Sequence, residues 1–187
     1  MPPKVKITRE EIIKTTLELV KASGEESINA RAVATAINCS TQPIFSNFAS
    51  IDELRTVVIG EAYNLYLEFV KKEIASGKYP EYKAFGMAYI RFAMNEKELF
   101  KLLFMRDRTG EDISPTADFE HSAEFISKAN GVSIETARLM HLEMWACVHG
   151  IGVMIATRFL PLDSELASDM LSDVYQGIRL KYVTEEK

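Results

Sequence analysis

Apolar residues recur every three or four positions along most of this chain, which is the spacing of one buried helix face. The pattern predicts a first helix from Thr8 to about Gly24, two short helices within residues 28–54, and a long helix from Ser50 to about Ser76. It predicts five later helices, over residues 80–94, 96–106, 115–130, 133–159 and 164–183. No segment shows the strict alternation of a half-buried strand. We therefore predict an all-α fold of about nine helices.

The two short helices have recognisable end signals. Asn29 is a good N-cap for the first, because its side-chain oxygen can accept a hydrogen bond from a free N–H group of the first turn. Residues 38–40 form the expected turn, since Asn tolerates the left-handed backbone that ends a helix and Ser favours the start of the next. Ser50 and Glu53 have capping-box spacing, so the long helix is expected directly after the second short one.

The second short helix is expected from Thr41 to about Phe48. Pro43 suits its first turn, where the missing N–H would have no intrahelical partner. The Ser40 hydroxyl is expected to accept a hydrogen bond from the Gln42 amide. The second short helix therefore has a defined start.

This helix is expected to have an inward and an outward face. Ile44 and Phe48 lie four positions apart and are expected to point inward together. The side chains left to bind something else are Gln42, Phe45, Ser46 and Asn47. Gln and Asn can form paired hydrogen bonds with an adenine edge in the major groove of DNA, and Ser can bond a base or a phosphate. Spacing alone leaves two interpretations open: a DNA-reading surface, or a polar face that is only solvated.

The combination of these features resembles the N-terminal domain of the tetracycline repressor (TetR-like) family of transcriptional regulators. The similarity covers Thr8 to Leu54. It rests on a capped first helix, a helix-turn-helix that ends in aromatic-x-x-Phe at Phe45 and Phe48, and a capped fourth helix after Ser50. The resemblance implies a homodimer that places the third helix of each subunit in the major groove of a double-stranded DNA operator.

The resemblance also implies how the chain is divided. A helix-turn-helix DNA-binding domain is expected over residues 1–50, and a larger helical regulatory domain for ligand binding and dimerisation over residues 51–187. Phosphate contacts are implied for Asn29 and Arg31. The positions implied to face the major groove are Thr41, Gln42, Pro43, Phe45, Ser46 and Asn47.

The chain departs from the family pattern at several positions. Family members commonly carry Tyr in place of Phe45, and often Lys or Arg in place of Ser46, Ala49 or Ile51. These positions are uncharged here, which predicts a smaller salt-dependent share of DNA affinity. A basic N-terminal arm is expected to compensate, formed by Lys4, Lys6 and Arg9. The alternative for these three residues is an ordinary charged terminus.

Composition agrees with a globular protein, since 47% of the 187 residues are apolar and 26% are charged. The net charge of -5 is unevenly distributed. Residues 1–60 contain seven Lys or Arg and seven Asp or Glu, whereas the remainder contains fifteen and twenty. An even balance in the first part is mild evidence against tight DNA binding, because strong electrostatic binders carry a basic stripe.

The sequence gives no indication of a metal, a cofactor or a catalytic centre. Cys39 and Cys147 lack metal-ligand spacing, so both are expected to be buried thiols. An enzyme is not expected, because Cys147 and His149 are two positions apart and point to different faces of a helix. We expect a cytoplasmic protein with no membrane partner, since the N-terminus has no apolar signal segment and no run of about eighteen apolar residues occurs.

Aromatic and Met side chains are dense in the later helices. Most are expected to be core, but such helices often surround an apolar cavity in which a few polar groups orient a ligand. The candidate pocket residues are Phe85, Tyr89, Phe92, Phe100, Phe104, Phe119, Trp145 and His149. For His149 a satisfied core role is the alternative. The run from Trp145 to Gly150 resembles the Trp-x-x-x-His-Gly motif of one regulatory domain found in TetR-like proteins.

The last two predicted helices each carry an apolar stripe that requires a covering partner. The resemblance implies that these helices pair with their symmetry mates in a four-helix bundle. The expected interface residues are Leu139, Val148, Gly152 and Ile155 on one helix, and Leu166, Met170, Val174 and Ile178 on the other.

These features together predict a transcriptional repressor that an unknown small apolar or amphipathic ligand releases from its operator. The long helix from Ser50 is expected to link the DNA-binding helices to the regulatory domain. The clearest loop is residues 106–114, which either gates a pocket or simply connects helices. The alternative function is a helical ligand-binding or interaction protein that keeps the fold but binds DNA poorly.

Overall fold

The structure, a computed structural model, describes residues 7–109 and 117–185. Within these ranges all regular secondary structure is helical and nine α-helices are present, which confirms the predicted fold class. They are α1 (Arg9–Ser23), α2 (Ala30–Ile37), α3 (Gln42–Asn47), α4 (Ile51–Ala75), α5 (Glu81–Asn95), α6 (Lys97–Phe104), α7 (Ala117–Asn130), α8 (Ile134–Ala156) and α9 (Ser164–Glu185). A 3₁₀ turn, Glu25–Ser27, follows α1.

The starts of three helices follow the predicted capping signals. Thr8, Asn29 and Ser50 each accept a hydrogen bond from the backbone N–H three residues later, at 3.1, 2.8 and 3.1 Å. Asn38 ends α2 in the left-handed conformation, with φ 57° and ψ 50°. These local signals set the angle at which α3 leaves α2, because they fix the backbone on both sides of the turn.

Two predicted helix limits are wrong. The N-cap of α3 is Thr41 rather than Ser40, and Thr41 makes no side-chain capping hydrogen bond. Thr41 has φ -71° and ψ -14°, so the backbone is already helical there and Ser40 lies one residue too early to cap it. The end of α8 is Ala156 rather than about Phe159, because Arg158 adopts a φ of 58°, which a right-handed helix cannot include.

The backbone forms two compact units, of which the N-terminal unit extends to Leu67 and also includes Glu96–Arg106. In this unit α1 packs against α2, α3 and α6. Its buried apolar side chains include Ile12, Val20, Val33, Ile44, Phe48, Leu54, Leu99 and Phe100. The functional boundary expected after residue 50 stays a prediction, because compactness does not show which residues bind DNA or a ligand.

The C-terminal unit contains Glu68–Asn95 and the chain from Asp107 onwards. In this unit α8 packs against α5, α7 and α9, and α5 also packs against α9. Gly86 permits this packing, because a Cβ atom there would lie 3.2 Å from a Leu171 methyl group and 3.3 Å from a Val148 methyl group. The unit therefore has α8 as its central helix.

Among the described residues only α8 is long and apolar enough to cross a membrane. Its most apolar eighteen-residue window has a mean hydropathy of 1.4, and 39% of that window is buried inside the protein. Core helices of soluble proteins have the same properties, so α8 is weak evidence for a membrane span.

Candidate functional site

α3 presents a mixed apolar and polar face to solvent. Ile44 and Phe48 are buried as predicted, whereas Phe45 is 51% exposed. The other exposed side chains of this helix are Gln42 and Ser46, and the half-buried positions are Thr41, Pro43 and Asn47. The predicted inward and outward faces are therefore confirmed, except that Asn47 is less exposed than expected.

Two polar side chains of α3 are already hydrogen-bonded to the helix backbone. Ser46 Oγ donates to the Gln42 carbonyl at 2.9 Å, and Asn47 Nδ2 donates to the Pro43 carbonyl at 2.8 Å. Asn47 still has its side-chain oxygen and one N–H to offer. That acceptor and donor are the pair that an adenine edge requires.

Arg9 holds the end of α3, a contact that the sequence does not reveal. Its guanidinium donates to the Asn47 carbonyl at 2.6 Å and to Glu53 Oε1 at 3.1 Å. The guanidinium carbon also lies 4.1 Å from the centre of the buried Phe48 ring, which is cation–π geometry. Arg9 is therefore bound within the protein and differs from its predicted role in a free N-terminal arm.

Glu53 closes the turn between α3 and α4. Its Oε2 atom accepts a hydrogen bond from the Ala49 amide at 2.6 Å, so Ala49 takes the place of the Ser50 amide expected in the capping box. The Ala49 amide and the Arg9 guanidinium lower the pKa of Glu53. The ionised carboxylate thus connects α1, the turn and the start of α4.

Basic side chains in the described part of residues 7–60 fall into two groups. Arg9, Lys21 and Arg55 form ion pairs with carboxylates. Lys14 and Arg31 are exposed and form none with any described residue. Arg31 lies in the first turn of α2, where free backbone N–H groups also favour an anion. It is thus available for the phosphate contact that the resemblance implies.

The other implied phosphate contact and the N-terminal arm have less support. Asn29 uses both polar atoms of its side chain within the protein, since Oδ1 caps α2 and Nδ2 donates to the Glu26 carbonyl at 3.0 Å. Lys4 and Lys6 lie outside the described residues.

In the C-terminal unit, α5 and α8 are joined by two Tyr–His pairs. Tyr82 Oη lies 2.9 Å from His141 Nδ1, and Tyr89 Oη lies 2.8 Å from His149 Nδ1. Residue numbers rise together along both helices, so α5 and α8 run side by side in the same direction. The predicted polar groups Tyr89 and His149 do meet. The first pair was not predicted, although Tyr and His both recur after about two helical turns.

Aromatic rings surround both histidines. Phe119 lies edge-on to His141, with 4.6 Å between the ring centres. Trp145 stacks on His149, with 5.1 Å between the ring centres and 7° between the ring planes. Trp145 is 48% exposed, so it is not part of an enclosed cavity in the single chain.

A small cleft of about 10 Å³ lies beside the first Tyr–His pair. Its lining residues are Glu81, Tyr82, Phe85, His121, Ser122 and Phe125. Of the predicted pocket residues only Phe85 is among them. A space of this size holds about one water molecule, so a larger ligand requires side chains to move.

Three other predicted pocket residues pack elsewhere. Phe92 is buried and meets Phe69 edge-on at 5.3 Å. Phe100 and Phe104 belong to the N-terminal unit, where Phe104 contacts Tyr66 at 5.4 Å. Helical periodicity could not separate these residues from the others, because it does not indicate that α6 packs on α1.

Burial shifts the titration of the groups near α8. It lowers the pKa of His141 and of His149, and it raises the pKa of the Cys147 thiol. Cys39 and Cys147 are free and half-buried, so the prediction that both are buried is wrong. In the described ranges no group of three His, Cys, Asp or Glu side chains could hold a metal ion.

The histidine shifts predict a loss of stability on mild acidification. In the unfolded chain a histidine has a pKa of about 6.5, so below that pH the unfolded chain binds protons that the folded rings do not bind. Proton binding favours the unfolded state, and stability stops falling once the pH is below the lowered pKa of the folded rings. Between pH 6.5 and 5.5 the free energy of unfolding should therefore fall. His141→Gln should reduce the slope of the unfolding free energy against pH by roughly half, because His149 still contributes. His121→Gln, at an exposed position, is the control, and denaturant titrations at each pH measure the slope.

The predicted dimer stripes are only partly exposed in the single chain. Leu139 and Leu166 are 52% and 48% exposed. The half-buried members are Val148, Met170 and Val174, and the buried members are Gly152, Ile155 and Ile178. The buried three lie on the sides of α8 and α9 that pack within the unit, so they contribute to its core rather than to an open face. Further exposed apolar residues on these helices are Leu142, Trp145 and Leu180.

Comparison with known proteins assigns the chain to no family. The similarity to TetR-like regulators therefore rests on the residue pattern between Thr8 and Leu54 and on the short motif from Trp145 to Gly150. No family model matches the chain, and no curated protein is significantly similar to it.

Proposed function

We propose that this protein is a cytoplasmic DNA-binding transcriptional regulator of the TetR-like kind, a repressor that a small apolar or amphipathic ligand releases from its operator. The observation that carries the proposal is the construction of α3. Its inner face is fixed by buried Ile44 and Phe48, and its end is held by Arg9. Its outer face offers side chains suited to base edges and thymine methyl groups. A rigid helix with an open, mixed face is what reading the major groove requires.

The charges around α3 suit a binder of moderate affinity. Arg31 and Lys14 have no ion pair with any described residue, whereas the other three basic side chains of residues 7–60 are neutralised. Few phosphate contacts mean a shallow dependence of affinity on salt. Base-edge contacts from α3 then supply a larger share of the specificity.

Arg31→Ala should weaken binding to every DNA sequence by a similar factor and reduce the slope of log affinity against log salt by about one. The reason is the loss of one phosphate contact at the start of α2. Fluorescence anisotropy with a labelled duplex at four salt concentrations measures the slope. Lys14→Ala removes the same charge from an exposed position of α1, and an equal change of slope in both variants would count against the phosphate contact.

A homodimer is part of the proposal. Leu139, Leu142 and Leu166 are each about half exposed on α8 and α9, and solvent-exposed leucines on adjacent helices favour association with a second copy. Two-fold symmetry would present two copies of α3 to successive turns of DNA.

The proposed effector acts at α5 and α8. An apolar ligand that enters beside the Tyr82–His141 pair would push apart the aromatic rings that pack there. It would thereby stabilise the conformation of the C-terminal unit in which these rings are separated. α4 belongs to both compact units, so its displacement is the proposed route from the ligand to DNA binding. No catalytic role is proposed, since burial raises the pKa of the Cys147 thiol and so disfavours a nucleophilic thiolate.

A protection assay on the DNA that flanks the gene tests the proposal. At low salt we expect one protected region with two half-sites, and its protection should weaken at higher salt. Absence of any specific site at low salt would exclude a sequence-reading regulator of this DNA.

The second candidate function is a helical ligand-binding or interaction protein that keeps the fold but binds DNA poorly. Neutral Ser46, Ala49 and Ile51 favour it, as does the pairing of three nearby basic side chains. Equal affinity for a candidate operator and for random DNA of the same length would support this function over the first.

A further inference from the structure

A cluster of positive charge lies in the C-terminal unit, outside the residues considered above. It consists of Lys78 and Lys83, which lie beside the half-buried ring of Tyr79, and of Arg91, which lies near the Tyr79 hydroxyl. The Lys78 and Lys83 ammonium groups are 5.1 and 5.0 Å from the centre of that ring. The serines of α9 that face the cluster are Ser168, which is buried, and Ser172, which is half-buried.

Lys83 is held in position with donors to spare. Its Nζ atom donates to Ser172 Oγ at 2.7 Å, and Ser172 Oγ donates in turn to the Ser168 carbonyl at 3.1 Å. An ammonium group has three N–H bonds, so two remain for another acceptor. Lys83 is half-buried, and the serine contact orders its flexible side chain before any ligand arrives.

The protein neutralises the cluster only in part. Arg91 pairs with the buried carboxylate of Glu73 at 3.0 Å. Lys78 and Lys83 form no ion pair with any carboxylate in the described parts of the chain. Glu81, on the same helix as Lys83, is exposed, and so are Asp169 and Asp173, which adjoin Ser168 and Ser172 in sequence. Two of the three positive groups therefore have no carboxylate partner in the described parts of the chain, in a protein whose net charge is -5.

The titration of the Tyr79 hydroxyl reflects the positive charge around it. Burial alone would raise its pKa, yet the pKa is lowered, because the hydroxyl interacts with the Lys78 ammonium and the Ser168 hydroxyl and lies near Arg91. Negative charge is therefore favoured at the position of the phenol oxygen.

We propose that Lys78, Lys83 and Arg91, with the Tyr79 and Ser172 hydroxyl groups, form a binding site for a small phosphate-type oxyanion. Two ammonium groups beside one ring, with a serine hydroxyl hydrogen-bonded to Lys83, can supply the positive charge and the donors that the oxygens of phosphate accept. Ser172 would donate to the ligand after rotating its hydroxyl. The site does not depend on the proposed DNA binding, because every residue that forms it lies in the C-terminal unit.

Isothermal titration of the whole protein with inorganic phosphate, at constant pH and ionic strength and without DNA, tests the site. We expect saturable binding with one equivalent, and about tenfold weaker binding in Lys83→Met, because one charge-assisted hydrogen bond is lost. Lys78→Met changes an exposed side chain, and it should also weaken binding, so it decides the question if Lys83→Met does not fold. Lys128→Met, at an exposed position of α7, is the matched control.

Further arms identify the ligand and exclude a general salt effect. Methyl phosphate distinguishes a phosphate ester from the free ion, and acetate tests a carboxylate of lower charge. Phosphate also stabilises proteins by exclusion from their surface, but that effect does not saturate and is the same in all variants. Heat signals without saturation, or equal affinity in wild type, Lys78→Met and Lys128→Met, would overturn the proposal.

Discussion

Phe48→Ala is expected to lower the free energy of unfolding by about 3–5 kcal/mol, the usual cost of removing a buried aromatic ring. Phe48 is only 1% exposed, and its loss also removes the ring on which Arg9 rests. The end of α3 would then lose both its apolar anchor and part of its polar anchor. Denaturant unfolding monitored by circular dichroism measures the change, and DNA binding should be lost together with the folded N-terminal unit.

Phe45→Ala is the matched control for this prediction. Phe45 lies three residues earlier in α3 and is 51% exposed, so its removal should change the free energy of unfolding by about 0.5 kcal/mol or less. The variant should stay folded, and it should bind DNA more weakly because Phe45 is expected to contact DNA. Unchanged DNA affinity in Phe45→Ala would show that Phe45 makes no contact that contributes to DNA binding.

Asn47→Ala is expected to relax the preference for one base pair in each half-site by about 1–3 kcal/mol, while binding to unrelated DNA changes little. The free acceptor and donor of the Asn47 amide are the groups that would read the base. The substitution also removes the hydrogen bond to the Pro43 carbonyl, at a cost of about 1 kcal/mol in stability. Affinities for operators with each base in turn measure the preference.

Ser46→Ala separates the change in base preference from the loss of stability. It too removes a side-chain hydrogen bond to a carbonyl four residues earlier, and it should therefore have a similarly small effect on stability. The Ser46 hydroxyl hydrogen is committed to the Gln42 carbonyl, so base preference should change less than in Asn47→Ala. The same relaxation in both variants would indicate a general distortion of α3 instead of base reading by Asn47.

The parts of the fold that were predictable are those set by neighbouring residues. Thr8, Asn29 and Ser50 cap helices because a short polar side chain reaches an N–H three residues ahead, and Asn38 ends α2 because it tolerates a left-handed backbone. The inward positions of Ile44 and Phe48 follow from helical geometry alone. All of these relations act over one helical turn.

The features that were missed depend on contacts between distant segments. Arg9 meets Asn47 and Glu53 only because α1 packs beside α3, and no local pattern indicates that α6 joins the same unit. The Tyr82–His141 bond likewise joins helices far apart in sequence, so each residue alone has the features of an ordinary core side chain. The error at Ser40 has a different origin, because a turn can include one more residue at little cost in energy.

Selection from a random DNA duplex library by the purified, full-length protein tests most directly whether α3 reads sequence. We expect enrichment of an inverted pair of half-sites whose centres lie about 10 base pairs, or a multiple of that, apart. The enriched sequence should depend on the outer face of α3: folded Asn47→Ala should lose the preference at one base pair in each half-site, and folded Phe45→Ala should enrich the site less than the wild type does. Recovery of no common sequence at low salt by the folded wild-type protein would contradict the proposed function.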